Sequence, residues 1–120
     1  MSPRLYSVVI DAHDPLAQAR FWAEALRFRI VYQAEDEVVV ARDETTYPTL
    51  TFVPVPERKS IKNRLHLDLA PDDRDAEVDR LIGLGASRAD VGQGPDVSWV
   101  VLADPEGNEF CVLSARPEGI

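Results

Sequence analysis

His66 is the residue of this chain best suited to chemistry. It stands in Arg64-Leu65-His66-Leu67-Asp68-Leu69, where an imidazole and a carboxylate two positions apart alternate with leucines. On a strand that spacing sends both polar side chains to one face and the leucines to the other. An imidazole oriented by a carboxylate can serve as a general base or as a metal ligand. Toward the other end of the chain, Glu109-Phe110-Cys111-Val112-Leu113 repeats the alternation. Phe110 and Val112 suit a core-facing side, which directs Glu109, Cys111 and Leu113 to the opposite one. No basic residue adjoins Cys111 in sequence to lower its pKa, so it reads first as a small buried hydrophobe that can also touch a ligand. Asp68 and Glu109 would each be costly to bury alone. They are expected either to pair with Arg or Lys from across a cup or to stay wet at its rim.

The elements that must hold these residues occur twice. Leu5 to Asp14 runs into an apolar-periodic stretch ending Leu26-Arg27-Phe28, and about sixty residues later Arg64 to Asp73 runs into another ending Leu84-Gly85-Ala86. In the first copy, residues 5–11 read as a strand, and Asp14-Pro15 supplies an N-cap acceptor followed by a proline in the first turn. Leu16, Ala19, Phe21, Trp22, Ala25 and Leu26 form the buried stripe of a helix. Residues 28–33, 37–41 and 49–55 are β-rich runs separated by turn signals. In the second copy, the strand at 65–69 precedes a helix capped by Asp72 or Asp73, with Ala76, Val78, Leu81, Ile82 and Leu84 as its stripe and Gly85 at its end. Strands follow at 87–91, 97–102 and 109–113. Arg27 stands where the second copy has glycine, so the first helix requires a left-handed arginine or a different ending.

The order βαβββ, twice, predicts an α+β fold: two tandem units forming a curved eight-stranded mixed sheet with helices on the convex side. One unit alone leaves a sheet edge and face uncovered, so the two are expected to share a core across residues 1–120, with repeat one at about 4–56, a proline-broken linker at about 57–62 and repeat two at about 63–115. A seam between copies is a natural place for a pocket. Alternation along the strands directs Ser7 and Val9, Thr49, Thr51 and Val53, and His66 and Asp68 toward its concave side. Trp99 reads either as core or as an aromatic wall for a planar ligand. Trp22 and Phe21 are structural, and His13 lies exposed beside a cap.

Composition narrows the function further. A net charge of -8 leaves no basic face for nucleic acid or an anionic membrane, and the single cysteine makes no internal disulfide. No apolar run approaches the roughly eighteen residues of a membrane span. A cytoplasmic protein is expected. A homodimer is expected too, because pairing covers strand edges or helix faces.

The doubled unit, the Asp14-Pro15 helix start, the Phe21-Trp22 pair and the stretch from Ala103 to Val112 resemble the vicinal oxygen chelate superfamily, which includes glyoxalase I, bleomycin-resistance proteins and extradiol dioxygenases. Residues 62–69 and 108–113 are most similar to its glyoxalase-like group, widespread in bacteria. The resemblance implies a divalent metal held by the first and last strands of each half, and it lays Ser7, Thr51, His66 and Cys111 on those places. Only His66 matches the family's usual His, Gln or Glu. A zinc or iron site needs about three good protein ligands. His66 and Cys111 make two, and Asp68 or Glu109 are the carboxylates able to complete a set. Two functions follow. One is a metal-free protein that binds a small organic molecule between the repeats through Ser7, Val9, Thr51, His66, Trp99 and Cys111. The other is a metal-dependent lyase, isomerase or dioxygenase using His66, with Asp68 or Glu109 orienting it.

Overall fold

The computed structural model describes residues 2–89 and 98–115. The chain divides into two units, Met1–Arg58 and Lys59–Ile120. The first contains β1 (Ser7–Ala12), α1 (Pro15–Leu26), β2 (Arg29–Gln33), β3 (Val38–Ala41) and β4 (Thr49–Pro54). The second contains β5 (Asp68–Leu69), α2 (Arg74–Leu84), β6 (Ser87–Arg88), β7 (Val100–Ala103) and β8 (Glu109–Val112). Each has a four-stranded mixed sheet of the same topology, β1-β4-β3-β2 and β5-β8-β7-β6, in which the first strand pairs parallel with the last. The fold is the α+β tandem repeat that the sequence predicts.

In the first unit α1 packs on all four strands. Its buried face carries Ala19, Phe21, Trp22 and Ala25 as expected, together with Ala23 and the fully buried Gln18, while Leu16 and Leu26 are only half-buried. Opposite it lie Val38 and Val40 from β3 and Leu50 and Phe52 from β4, all buried. The intervening Thr49 and Thr51 point to the other sheet face, as the two-residue period requires. The second unit is built more sparingly. Of the five residues expected in the α2 stripe only Val78 and Leu81 are buried, and Ala76, Ile82 and Leu84 are exposed. This helix packs on β8, whose neighbours are the short strands β5 and β7, so the sheet beneath it covers a narrower stripe.

Helix ends follow their caps. The Asp14 and Asp73 carboxylates accept from the Ala17 and Ala76 N–H groups at 3.2 and 3.1 Å, so Asp73 rather than Asp72 begins α2. Both helices close with the same pair of bonds. Phe28 N–H reaches the Ala23 carbonyl and Arg27 N–H that of Glu24; Ala86 N–H reaches Leu81 and Gly85 N–H reaches Ile82. This pattern needs a left-handed residue after the last turn. Gly85 meets the need at φ 124°, and Arg27 is held at φ 56°, ψ 37°.

The largest revision concerns the strand bearing His66. A strand was expected over 65–69, but ladder pairing is confined to Asp68↔Cys111 and Leu69↔Val112. On this register Leu67 and His66 fall opposite Phe110 and Glu109, yet they stand outside the ladder, and only Leu65 lies beyond the start of β8. Leu67 contributes its carbonyl to the Cys111 N–H at 2.9 Å, and Leu65 is 84% exposed. Likewise β1 starts at Ser7 rather than residue 5, leaving Leu5 and Tyr6 exposed. The expected strand at 87–91 is observed as Ser87–Arg88, followed by the Ala89 N–H bonded to Val101, and the strand expected from 97 is observed from Val100. The remainder of the first, the start of the second and the 92–95 turn between them lie outside the described residues.

The turn into β8 is tied down from inside. Asp104, 3% exposed, accepts the N–H groups of Glu106 and Asn108 on Oδ1 at 3.0 and 2.9 Å, and the Asn108 amide closes on both carboxylate oxygens. Gly107 takes φ 90° at the corner. This fixes where β8 starts, and so where Glu109 and Cys111 sit.

Arg27 is exposed, so its strain is relieved by glycine with little packing lost. Arg27→Gly is expected to raise stability by about 0.5–1 kcal/mol, read as a melting temperature a few degrees higher.

Candidate functional site

The parallel register of β5 on β8 sets Asp68 beside Cys111. Two residues earlier on the same side, His66 directs Nε2 to the Asp68 Oδ1 at 3.2 Å. Both side chains are about half exposed, at 47% and 51%, whereas Cys111 is buried. Residues recognised separately in the sequence therefore meet at one point of the second unit. They line a cavity of about 390 Å³ with Glu109, Lys62 and the apolar Trp99, Val101, Phe110 and Leu113. Trp99, 38% exposed, is a wall of this cavity rather than a core residue.

The electrostatics separate the roles of the two acidic groups. Glu109 lies deep, its side chain 10% exposed. Burial pushes its pKa up, but the Lys59 ammonium at 2.8 Å from Oε2 and the Asn63 N–H at 3.0 Å from Oε1 outweigh burial and hold it below the ordinary glutamate value. It is thus a structural anion, fastening residues 59–63 to β8. The cation that neutralises it comes from the segment read as a linker, not from across a cup. Asp68 is the wet partner. Burial raises the Cys111 pKa, and Asp68 raises it further by its charge and by accepting the thiol's hydrogen bond, with a smaller opposing effect from Lys62. Cys111 is therefore a protonated thiol, and a cysteine nucleophile is not what this arrangement prepares.

Superfamily enzymes use a divalent metal, and the donor set here can be judged against one. One donor atom from each of His66, Asp68 and Cys111 lies within 4.8 Å of the other two. Nitrogen, oxygen and sulfur donors in that number suit a tetrahedral cation of the zinc type with one position open to a ligand. Asp68 is the carboxylate that completes the set, since Glu109 is occupied by Lys59 and Asn63. Binding would displace the thiol proton, making occupancy favour higher pH.

Ser7 and Thr51 belong to the first unit. Ser7 Oγ lies 2.8 Å from Thr51 Oγ1 and accepts from Thr49 Oγ1 at 2.9 Å, so the three hydroxyls satisfy one another. Val9, on the same strand, is 58% exposed. Nothing in residue type or spacing showed that Lys59, Lys62 and Asn63 would reach this site. They sit in a charged stretch without periodicity, and only the fold folds it back along β8.

Replacing Glu109 by Gln removes the anion and leaves Lys59 partly buried without its partner. The variant is expected to lose about 1–3 kcal/mol at neutral pH. Because the native carboxyl titrates below its ordinary value, its stabilisation is complete above that value and is lost as pH falls through the lowered one. Melting curves of the two proteins should therefore converge in acid, once pH has fallen through that lowered value.

Comparison with known proteins places this geometry. The sequence model of a family described as Glyoxalase-like domain matches residues 7–113. No curated protein matches the sequence. Among solved structures, a glyoxalase/bleomycin resistance protein/dioxygenase family enzyme from Burkholderia phytofirmans PsJN superposes with a TM-score of 0.73 at 20% identity, covering 95% of this chain and all of that one. TnmS3, an antibiotic binding protein from Streptomyces sp. CB03234, gives 0.63 at 19% identity over 96% of this chain and 98% of its own. The trypanothione-dependent glyoxalase I of Leishmania major gives 0.68 at 15% identity over 94% and 87%. At these identities the structures testify to the fold, and the match along residues 7–113 identifies the chain as a member of the glyoxalase-like domain family.

Proposed function

We propose that this protein binds a small organic molecule in the second unit's cavity, with His66 and Asp68 as its polar floor and Trp99 as its aromatic wall. The observation that carries the reading is the cavity itself. At about 390 Å³ it falls within the range of small-ligand sites, and it sets a few convergent polar groups against apolar walls. The fit is to a compact ligand with a planar apolar body and a head that both donates and accepts hydrogen bonds. Lys62 and Asp68 offer opposite charges to such a head, and the Cys111 thiol remains protonated beside it. TnmS3 shares the fold and is described as an antibiotic binding protein, which supports binding without turnover as a function this architecture can have.

A second reading has an observation of its own. The convergence of three donor atoms suits a metal-dependent lyase, isomerase or dioxygenase in which His66, Asp68 and Cys111 hold the cation. The cation would polarise a ligand oxygen as a Lewis acid. This chain's residues would orient the ligand against Trp99 and exclude water through Val101, Phe110 and Leu113.

A thermal-shift screen of phenols, aromatic acids and amides tests the first reading. Compounds that bind should raise the melting temperature in proportion to their saturation, lose that effect in His66→Ala and Trp99→Ala, and be recovered unchanged. Hits that stabilise both variants as well as they do the parent protein defeat the assignment. Metal analysis of protein purified without chelator tests the second. About one zinc, nickel, manganese or iron per chain, lost in Cys111→Ala, would establish it, and no uptake on adding any of these ions would exclude it.

A further inference from the structure

A second cavity, of about 320 Å³, opens on the first unit and shares no residue with the one around His66. Its walls carry three tyrosines, Tyr6, Tyr32 and Tyr47, and three carboxylates, Glu37, Asp43 and Glu44. The rings are unusually open, 60%, 54% and 37% exposed. Tyr32 reaches the cavity because the β2–β3 pairing slips between Ile30 and Tyr32. The extra residue of this bulge lets Val31 and Tyr32, adjacent in sequence, both line the cavity.

The carboxylates differ in what they have left to offer. Asp43 accepts the Thr45 N–H at 2.8 Å and the Thr45 and Thr46 hydroxyls at 3.0 and 2.8 Å, which hold its pKa at about 2 and commit it to the turn. Glu44 is shared with Arg29 at 3.2 Å. Glu37 is half-buried at the cavity, and among the described residues its carboxylate has neither a hydrogen bond nor an ion pair. An anion partly withdrawn from water beside aromatic rings favours a cation in the space before it.

The protein already places a cation on one of these rings. The Arg4 guanidinium carbon lies 4.6 Å from the centroid of Tyr47, while Tyr6 stacks on Tyr47 with centroids 5.0 Å apart and planes inclined by 26°. With a guanidinium and a ring already set against Tyr47, the more open Tyr6 and Tyr32 are the rings left for a ligand. Ring faces are negative and attract cations, most effectively cations that give up little hydration on leaving water. An alkylated ammonium has this property, and its methyl groups match Val31 and Val39 in the same wall.

We propose that this cavity binds a small organic cation of the quaternary-ammonium class, through Tyr6 and Tyr32 by cation–π contact and through Glu37 by charge. The site acts independently of His66.

Choline is the probe, titrated calorimetrically into the full chain beside 3,3-dimethylbutan-1-ol, its neutral isostere, and ethanolamine, its unmethylated form. Choline is expected to bind saturably and about tenfold more tightly than the isostere, and more tightly than ethanolamine. Tyr32→Ala and Glu37→Gln should each weaken it severalfold, and His66→Ala should leave it unchanged. Tyr32 and Glu37 are both at the surface of the unit, and an unchanged melting temperature in the Glu37→Gln variant separates lost binding from lost folding. Equal affinity for choline and its isostere, no saturable choline binding, stronger ethanolamine binding, or parent-like affinity in both folded variants would overturn the proposal.

Discussion

The candidate site depends on one register: the parallel pairing that aligns Asp68 with Cys111. Side chains on a strand change face with every residue, so a slip of one position would turn Cys111 into the core and bring Phe110 or Val112 beside Asp68. The register is guarded on both sides. Burial of Phe110 and Val112 against the helix layer fixes which face of β8 is inward, and the Asp104-centred turn fixes where β8 begins. Glu109 adds a third hold by anchoring Lys59 and Asn63 beside the strand that precedes the site. Much of the polar chemistry around the cavity thus maintains position, leaving Lys62, His66, Asp68 and Cys111 as the polar groups of its wall not taken up in that task.

The fold was legible in the sequence because its signals are local and occur twice. The Asp14 and Asp73 caps, the apolar stripe of α1 and the alternation in Glu109–Val112 each report a backbone state that neighbouring residues already determine. Even the oddity at Arg27 was visible, since comparison with Gly85 left either a left-handed arginine or a different helix end, and the structure takes the first. The joining of His66 with Asp68 followed from spacing alone. Their approach to Cys111 required the duplicated topology. What could not be read were contacts made by segments without periodicity. Lys59, Lys62 and Asn63 occupy a stretch whose composition says only that it is polar, and the length of β5 was overestimated because alternation tells which face a side chain takes and not how far the backbone follows its neighbour. The exposed outer face of α2 has the same origin, since apolar spacing fixes a helix stripe but not the width of the sheet beneath it.

The two units put different chemistry on one frame. Where β1 meets β4, hydroxyls of Ser7, Thr49 and Thr51 close on one another as a neutral, self-satisfied group. Where β5 meets β8, an imidazole, a carboxylate and a thiol leave donors and acceptors open. The backbone pairing is common to both, so the divergence lies in side chains that point away from the helix layer, which the core does not constrain. A core residue such as Phe52 or Phe110 must satisfy packing. Residues across the pleat from it are free to vary, and that freedom lets one architecture carry unrelated activities.

In each sheet the opening strand and the closing strand lie side by side and run the same way. The chain therefore enters a unit at one rim and departs from the opposite rim, without reversing past its own start. A module threaded in this manner hands the chain on at the rim away from its entry, so another copy can follow after a short connection such as the proline-broken stretch around Pro56.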